Sequence, residues 1–228
     1  IHRYLEAIAK AAPTRAKYWV IGKSEEGRDM AVFVVADEAT IRDLDQHKAN
    51  IAALTDPRKT TEAQAKALIA QTKPIYWLTS GMHSPETGGP EMLQELAYRL
   101  VVEETPFIQN IRANVITAIT PVLEVDGRER MVDVYRYRKD NPDRTPPALL
   151  YWGHYAAHDN NRDGLGLALK QSQNVLKAAL EWHPQVIHDL HESVPFLYTS
   201  TGTGPYNAWL DPIVIDEWHL LAYHEIEE

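Results

Sequence analysis

The sequence predicts an α/β fold: a mixed, mainly parallel central sheet with helices flanking both of its faces. Two observations carry this. Short apolar runs rich in β-branched and aromatic residues alternate along the chain with segments of helical periodicity. Several of those runs also lead directly into turns of His, Glu, Asp and Asn, and open α/β sheets carry their functional groups at the carboxyl ends of strands. In order, residues 3–12 read as a short helix before Pro13. Tyr18 to Ile21 and Met30 to Ala36 form a hairpin across the turn Gly22 to Arg28. Two helices follow near 40–54 and 61–72, the second with Thr61 and Gln64 in capping-box spacing. Ile75 to Thr79 is a buried strand, and Pro90 opens a helix to about residue 104 with Leu93, Leu96 and Leu100 on one face. Asn114 to Val122 reads as a strand and 127–147, dense in charge and proline, as irregular surface. Residues 165–182 form a helix and Pro184 to His191 a last strand.

The length of 228 residues suits one sizeable domain, and residues 1–228 are read as such. The net charge of −9 argues against a general nucleic-acid binder, which would need a basic face. There is no cysteine, so disulfides, thiolate metal sites, iron–sulfur clusters and a cysteine nucleophile are excluded. Any transition metal must rest on His, Asp and Glu. No apolar run reaches membrane-spanning length, and Ile1 to Glu6 reads as an amphipathic helix rather than a signal peptide. The missing initiator Met reads as a processed or excised chain, and Glu225 to Glu228 as an interrupted helix.

Among the ten histidines, His83 follows a buried strand and stands three residues before Glu86. A turn that joins the two could place an imidazole and a carboxylate on one ion, although a lone pair of this kind more often caps a loop and starts a helix. His191, at the end of another strand, could supply a third ligand. Catalytic zinc takes three such protein ligands at about 2.0–2.2 Å and keeps a position for water. His154 and His158 have the i, i+4 spacing of a helical ligand pair but lack the Glu of H-E-x-x-H. His219 and His224 diverge on a helix. His183 sits in a turn, and His188 faces away from His191 on their strand. The polar run Asp159 to Gly164 is either a solvated turn or an anion clamp, in which Arg162 would grip a carboxylate and Asn161 would add a donor.

Taken together, these segments resemble the zinc carboxypeptidases of peptidase family M14. Ser80 to Glu86 resembles their G-x-H-x-x-E motif. Ile21 to Arg28 is similar to their I-G-x-S-x-x-G-R turn, and Thr120 to Gly127 to their N-P-V-x-N-P-D-G turn. Asp159 to Asp163 resembles their D-x-N-R-N segment, and Asp189 to Ser193 the segment bearing the third zinc ligand. The five motifs keep the family's order. The resemblance implies one Zn²⁺ per chain held by His83, Glu86 and His191, with Asp159 orienting His83. Asn161 and Arg162 would hold the substrate's terminal carboxylate, and Arg138, with Arg136 second, would stabilise the oxyanion.

The implied activity is hydrolysis of C-terminal peptide bonds by metal-activated water, with a peptide or protein C-terminus as substrate, in a secreted or periplasmic bacterial setting. The family's general-base glutamate and substrate-capping tyrosine lie well beyond the third ligand. The chain is therefore expected to be a C-terminally truncated, incomplete carboxypeptidase-like domain that binds zinc with little turnover. The stretch 40–72 reads as an addition relative to the smallest members. Two alternatives stay open: a related zinc amide hydrolase acting on acylated amino acids or cell-wall peptides, and a zinc- or peptide-binding module without catalysis.

Overall fold

The computed structural model of the chain describes residues 1–149, 159–192 and 208–227. The chain divides into two compact units, Ile1–Glu192 and Ser193–Glu228. In the second, the described structure is one helix, Pro212–Glu227. The first unit is built on a five-stranded sheet. Its strands are β1 (Ala16–Lys23), β2 (Asp29–Val35), β3 (Ile75–Ser80), β4 (Ile116–Thr120) and β5 (Val186–Leu190), in the order β1-β2-β4-β3-β5. β1 pairs antiparallel with β2, and β2 antiparallel with β4. β3 lies between β4 and β5 and is parallel to both. The sheet is thus mixed, with a parallel half, β4-β3-β5, in which β5 is the edge strand and ends beside β3.

Side-chain alternation explains why both faces are covered. Val32 and Val34 of β2, Ile75 and Trp77 of β3, and Ile116 and Ala118 of β4 point to one face. There they meet Ile41 of α2 (Glu38–Arg42), Leu44 and Ile51 of α3 (Leu44–Leu54), and Ala178 and Trp182 of a helix at Lys170–Trp182. Phe33, Val35, Leu78 and Ile119 point to the other face. They pack on Leu5 of α1 (His2–Ala11), Leu93, Ala97 and Leu100 of α5 (Gly88–Val102), and Ile108 of α6 (Pro106–Asn114). Phe33 is fully buried, which is worth about 1.5–3 kcal/mol for a side chain of this size. The one polar atom that Trp77 brings into the core is satisfied, because its Nε1 donates to Thr120 Oγ1 at 3.0 Å.

The stretch 40–72 supplies α3 and α4 (Glu62–Gln71). α4 opens with the full Thr61/Gln64 capping box that its spacing predicts. α3 is tied down by Lys48, whose Nζ lies 4.2 Å from the Trp182 ring centroid and 2.7 Å from Glu181 Oε1.

Two expectations about local structure are corrected, and one helix is added. Residues 127–147 are not wholly irregular: α7 runs Val125–Asp140, capped by the Glu124 carboxylate, which accepts from Gly127 N. Its four arginines, Glu129 and Met131 are good helix formers, and no Pro or Gly interrupts it after its first turn. Residues 106–114 form α6 ahead of β4. Thr105 caps it by accepting from Ile108 N, and Pro106 occupies the first turn. The helix expected from 165 begins only at Lys170 as α8 (Lys170–Trp182). Before it, Asn160–Leu165 is a 3₁₀ turn, and the buried Asp163 carboxylate accepts from Ala168 N and Leu169 N, which holds the chain off the helical path.

Candidate metal centre

The parallel register of β3 and β5 brings the histidines together. Tyr76 pairs with Val186 and Ser80 with Leu190, so the two strands end side by side. Ser80 Oγ donates to Leu190 O at 3.1 Å and locks those ends. Beyond β3 the chain must turn at once, and Gly81 does this with φ of 63°, a left-handed conformation that suits glycine. A Cβ there would also lie 3.1–3.3 Å from Pro90, Pro121 and Val122. The next turn is closed by Glu86 N donating to His83 O at 3.0 Å, which puts both side chains on one side. α5 then starts at Gly88, whose amide donates to the Glu192 carboxylate.

His83, Glu86 and His191 offer ligand atoms that all lie within 4.8 Å of one another. The Glu86 carboxylate sits between two imidazoles, with His83 Nδ1 2.7 Å from Oε1 and His191 Nδ1 3.0 Å from Oε2. The ring centroids are 4.7 Å apart. Each imidazole is held from behind by a second carboxylate: His83 Nε2 lies 2.9 Å from Asp159 Oδ1, and His191 Nε2 lies 2.8 Å from Asp189 Oδ2. A carboxylate on Nε2 keeps the proton there and leaves the Nδ1 lone pair for a ligand. The two Nδ1 atoms and the carboxylate they face are reconciled either by a proton on each imidazole or by one cation held among all three groups. Two imidazoles and a carboxylate are the ligand set that catalytic zinc takes in carboxypeptidase A, so these residues fit a single zinc ion.

The hydrogen bond to the Asp189 carboxylate holds His191 above its ordinary value against the opposing effect of burial, and Glu86 adds to the rise, so a metal ion on this imidazole competes with a proton. Burial raises Asp159, but the hydrogen bonds from His83 and Asn161 N outweigh it, and its carboxyl ends below the usual range.

The polar run forms a shelf next to this cluster. Asp159 caps the 3₁₀ turn through Asn161 N at 2.9 Å with the same oxygen that meets His83. Asn160, buried, donates from Nδ2 to Met82 O at 2.6 Å and so ties the turn to the His83 loop. Asn161 and Arg162 are exposed, and the hydrogen bond that the Arg162 guanidinium makes among the described residues is to Asn161 O. Arg138 and Arg136 lie on exposed positions of α7. Arg136 stands 3.9 Å from Asp133, and Arg138 makes no hydrogen bond or ion pair among the described residues. The structure therefore does not tie either arginine to the cluster.

Six of the eight other histidines were weighed as ligands in the sequence or stand near the candidates, and each is accounted for separately. His154 and His158 lie outside the described residues. His188 Nδ1 meets the Tyr76 hydroxyl at 2.8 Å, and His183 ends α8 with φ of 47°. His219 and His224 are on the helix of the second unit, α9 (Pro212–Glu227). Sequence reasoning missed Asn160 and any role for Asp189. The Asp189-x-His191 spacing was the available signal for the second, since residues two apart on a strand share a face.

No curated protein matches the sequence. Among solved structures, the chain is similar to carboxypeptidase A from Helicoverpa armigera, with 18% identity and a TM-score of 0.56 over 83% of this chain and 44% of that one. It is also similar to a metallo-carboxypeptidase from Burkholderia cenocepacia, with 15% identity and a TM-score of 0.55 over 84% of this chain and 39% of that one. A third is the metallo-carboxypeptidase from Pseudomonas aeruginosa solved with (2-guanidinoethylmercapto)succinic acid, at 14% identity and a TM-score of 0.52, covering 84% and 39% of the two chains. The chain thus spans less than half the length of these relatives. Likeness at this identity speaks for the fold: the mixed sheet flanked by helices is that of the carboxypeptidases. The family model for zinc carboxypeptidase matches residues 1–163, a span holding His83, Glu86, Asp159 and Arg162, and the chain belongs to the zinc carboxypeptidase family.

Proposed function

We propose that this chain carries the zinc-binding part of a metallocarboxypeptidase that removes C-terminal residues from peptides. The observation that supports it most is the convergence of His83, Glu86 and His191, with their donor atoms within 4.8 Å, at the adjoining carboxyl ends of two parallel strands. His83 and His191 would bind through Nδ1 and Glu86 through its carboxylate. When bound there, zinc lowers the pKa of a water molecule and polarises the scissile carbonyl.

The chain's own residues do the rest of the positioning. Asp159 fixes the tautomer and orientation of His83. Arg162, exposed beside Asp159, takes the substrate's terminal carboxylate in two parallel hydrogen bonds, and Asn161 adds a donor. Arg138 is assigned the developing oxyanion, with Arg136 as the competing choice. The proton transfers belong to a glutamate that the resemblance places beyond the third ligand, and no described residue is assigned that role. The 228-residue chain is accordingly proposed to bind zinc with little turnover. Among the described residues, no helix is long and apolar enough to cross a membrane, and the family resemblance favours a secreted or periplasmic setting.

Metal analysis of purified wild type against His83→Ala tests the central claim. About one zinc per chain is expected, as for a site with three protein ligands, and it should vanish in the variant. Metal retained at full stoichiometry in His83→Ala would show that the ion sits elsewhere. Peptide hydrolysis measured on the same samples tests the second claim, since ordinary carboxypeptidase rates from the 228-residue chain would show that it contains a general base.

A further inference from the structure

His191 is the least sheltered member of the cluster, with 26% of its side chain exposed against 12% for His83 and 14% for Glu86. It also follows the last hydrogen-bonded residue of β5, Leu190, so no sheet pairing holds it. His83 is fixed by a turn and by Asp159. Something must do the same for His191, because an imidazole free to rotate about two side-chain bonds loses that freedom on binding an ion.

Asp189 meets the requirement. It sits two residues before His191 and projects to the same side. Its Oδ2 lies 2.8 Å from His191 Nε2. Its other oxygen, Oδ1, accepts from Thr79 Oγ1 at 2.7 Å. Thr79 is buried and is the register partner of Asp189 across the β3–β5 pair, so the carboxylate is braced by the sheet itself. The threonine hydroxyl occupies one oxygen and directs the other at the imidazole. The result is a continuous chain, Thr79 to Asp189 to His191 to Glu86 to His83 to Asp159, in which each histidine has one carboxylate in front and one behind.

We propose that Asp189 is a positioning residue for His191, held in place by Thr79, and that the pair sets the affinity of the centre for zinc. The inference rests on the metal-binding reading given above. A carboxylate that accepts from Nε2–H fixes the tautomer in which Nδ1 is the ligand atom and raises the basicity of that nitrogen, and losing such a partner typically costs 10–100-fold in metal affinity. Thr79 acts one step further back, so its removal should cost less.

The test compares wild type, Asp189→Asn, Asp189→Ala, Thr79→Val, the double variant Thr79→Val/Asp189→Ala and His191→Ala. Zinc affinity is measured by competition with a chelating indicator, cobalt(II) absorption reports ligand geometry, and melting of the metal-free protein reports the fold. The expected order of affinity is wild type, then Thr79→Val, then Asp189→Asn, then Asp189→Ala, the last about 10–100-fold weaker than wild type. The asparagine oxygen can still accept from Nε2–H but without charge, which places that variant in between. The cobalt spectrum of Asp189→Ala should shift, and Thr79→Val should add nothing once Asp189 is alanine, since the two act through one contact.

Equal zinc affinity in wild type and Asp189→Ala, with His191→Ala impaired, overturns this inference and leaves the metal centre standing. So does a loss of affinity that merely follows a lowered melting temperature, with an unchanged cobalt spectrum. Wild type that binds zinc no better than His191→Ala overturns both.

Discussion

Asp126→Ala should weaken the first unit by about 3 kcal/mol. The carboxylate is almost fully buried, with 3% of its side chain exposed. It accepts from Ser24 Oγ at 2.7 Å, from Glu26 N at 3.0 Å and from Arg28 Nη1 at 2.7 Å. Three partners from the β1–β2 turn therefore converge on the first turn of α7, the helix that carries Arg136 and Arg138. Removing one member of a buried, hydrogen-bonded charge pair costs about 3–5 kcal/mol. The lower end applies here, because 37% of the Arg28 side chain is exposed and the guanidinium keeps its pairing with Glu26. Ser24 Oγ and Glu26 N are left without their acceptor, a further desolvation cost that belongs to the same range. For a unit of this size, that loss corresponds to a melting temperature lower by about 6–12 °C. Asp126→Asn keeps two of the acceptor contacts and loses the charge, so it should fall about halfway. Urea unfolding followed by tryptophan fluorescence reads both variants. A loss below about 1 kcal/mol for Asp126→Ala, within the ordinary range for a surface change, would show that this network does not anchor α7.

Zinc at about 100 times its dissociation constant should stabilise the protein by about 2.7 kcal/mol, a rise in melting temperature of about 5–11 °C. Calorimetry should show that rise abolished by chelator and absent in His83→Ala. Arg162→Ala should remove the preference for a free C-terminal carboxylate over an amidated end, a change of about 1.5–3 kcal/mol for a charge-assisted contact, read by titration calorimetry with the two peptides. Burial, opposed by the Gly127 N–H and reinforced by Asp126, holds Glu124 above the ordinary carboxylate range. Its neutral form is thus favoured on folding, and that stability, complete below the unfolded value, is lost as pH rises through the folded value. Glu124→Gln keeps the cap and removes the charge. Its melting temperature should exceed that of wild type at neutral pH, with the gain vanishing near about pH 4; an equal gain at both pH values would show that the charge is not the cause.

Where one physical signal dominated, the fold was legible in the sequence. β2 and β3 are short apolar runs bounded by turn residues, and α4 and α5 carry a capping box or a proline start. α7 was missed because its charge density was read as surface loop, although Arg, Glu and Lys are better helix formers than most apolar residues. Its anchor lies in Asp126, whose partners stand about a hundred positions earlier, and no local pattern reports that. α8 shows the reverse error. Helical periodicity continued back to 165, but the Asp163 carboxylate takes the amides of Ala168 and Leu169 and imposes a different path.

The centre divides along the same line. His83 and Glu86 are joined by a three-residue turn, so their proximity can be read locally, although the pair alone reads more readily as a loop cap and a helix start. His191 became readable only through motif order, because its approach depends on which strand pairs with β3. Asp189 and Thr79 could not be paired without that register: they are neighbours through the alignment Thr79↔Asp189 and through nothing else in the sequence. A shift of one residue in the β3–β5 pairing would turn Asp189 away from Thr79 and alter the height at which His191 leaves the sheet. The hydrogen bond from Ser80 Oγ to Leu190 O at the strand ends opposes such a slip. The geometry of the centre is therefore a consequence of strand register first and of ligand identity second. That is why residues outside the proposed ligand set, Thr79 and Ser80, belong to the account of how the cluster is held together.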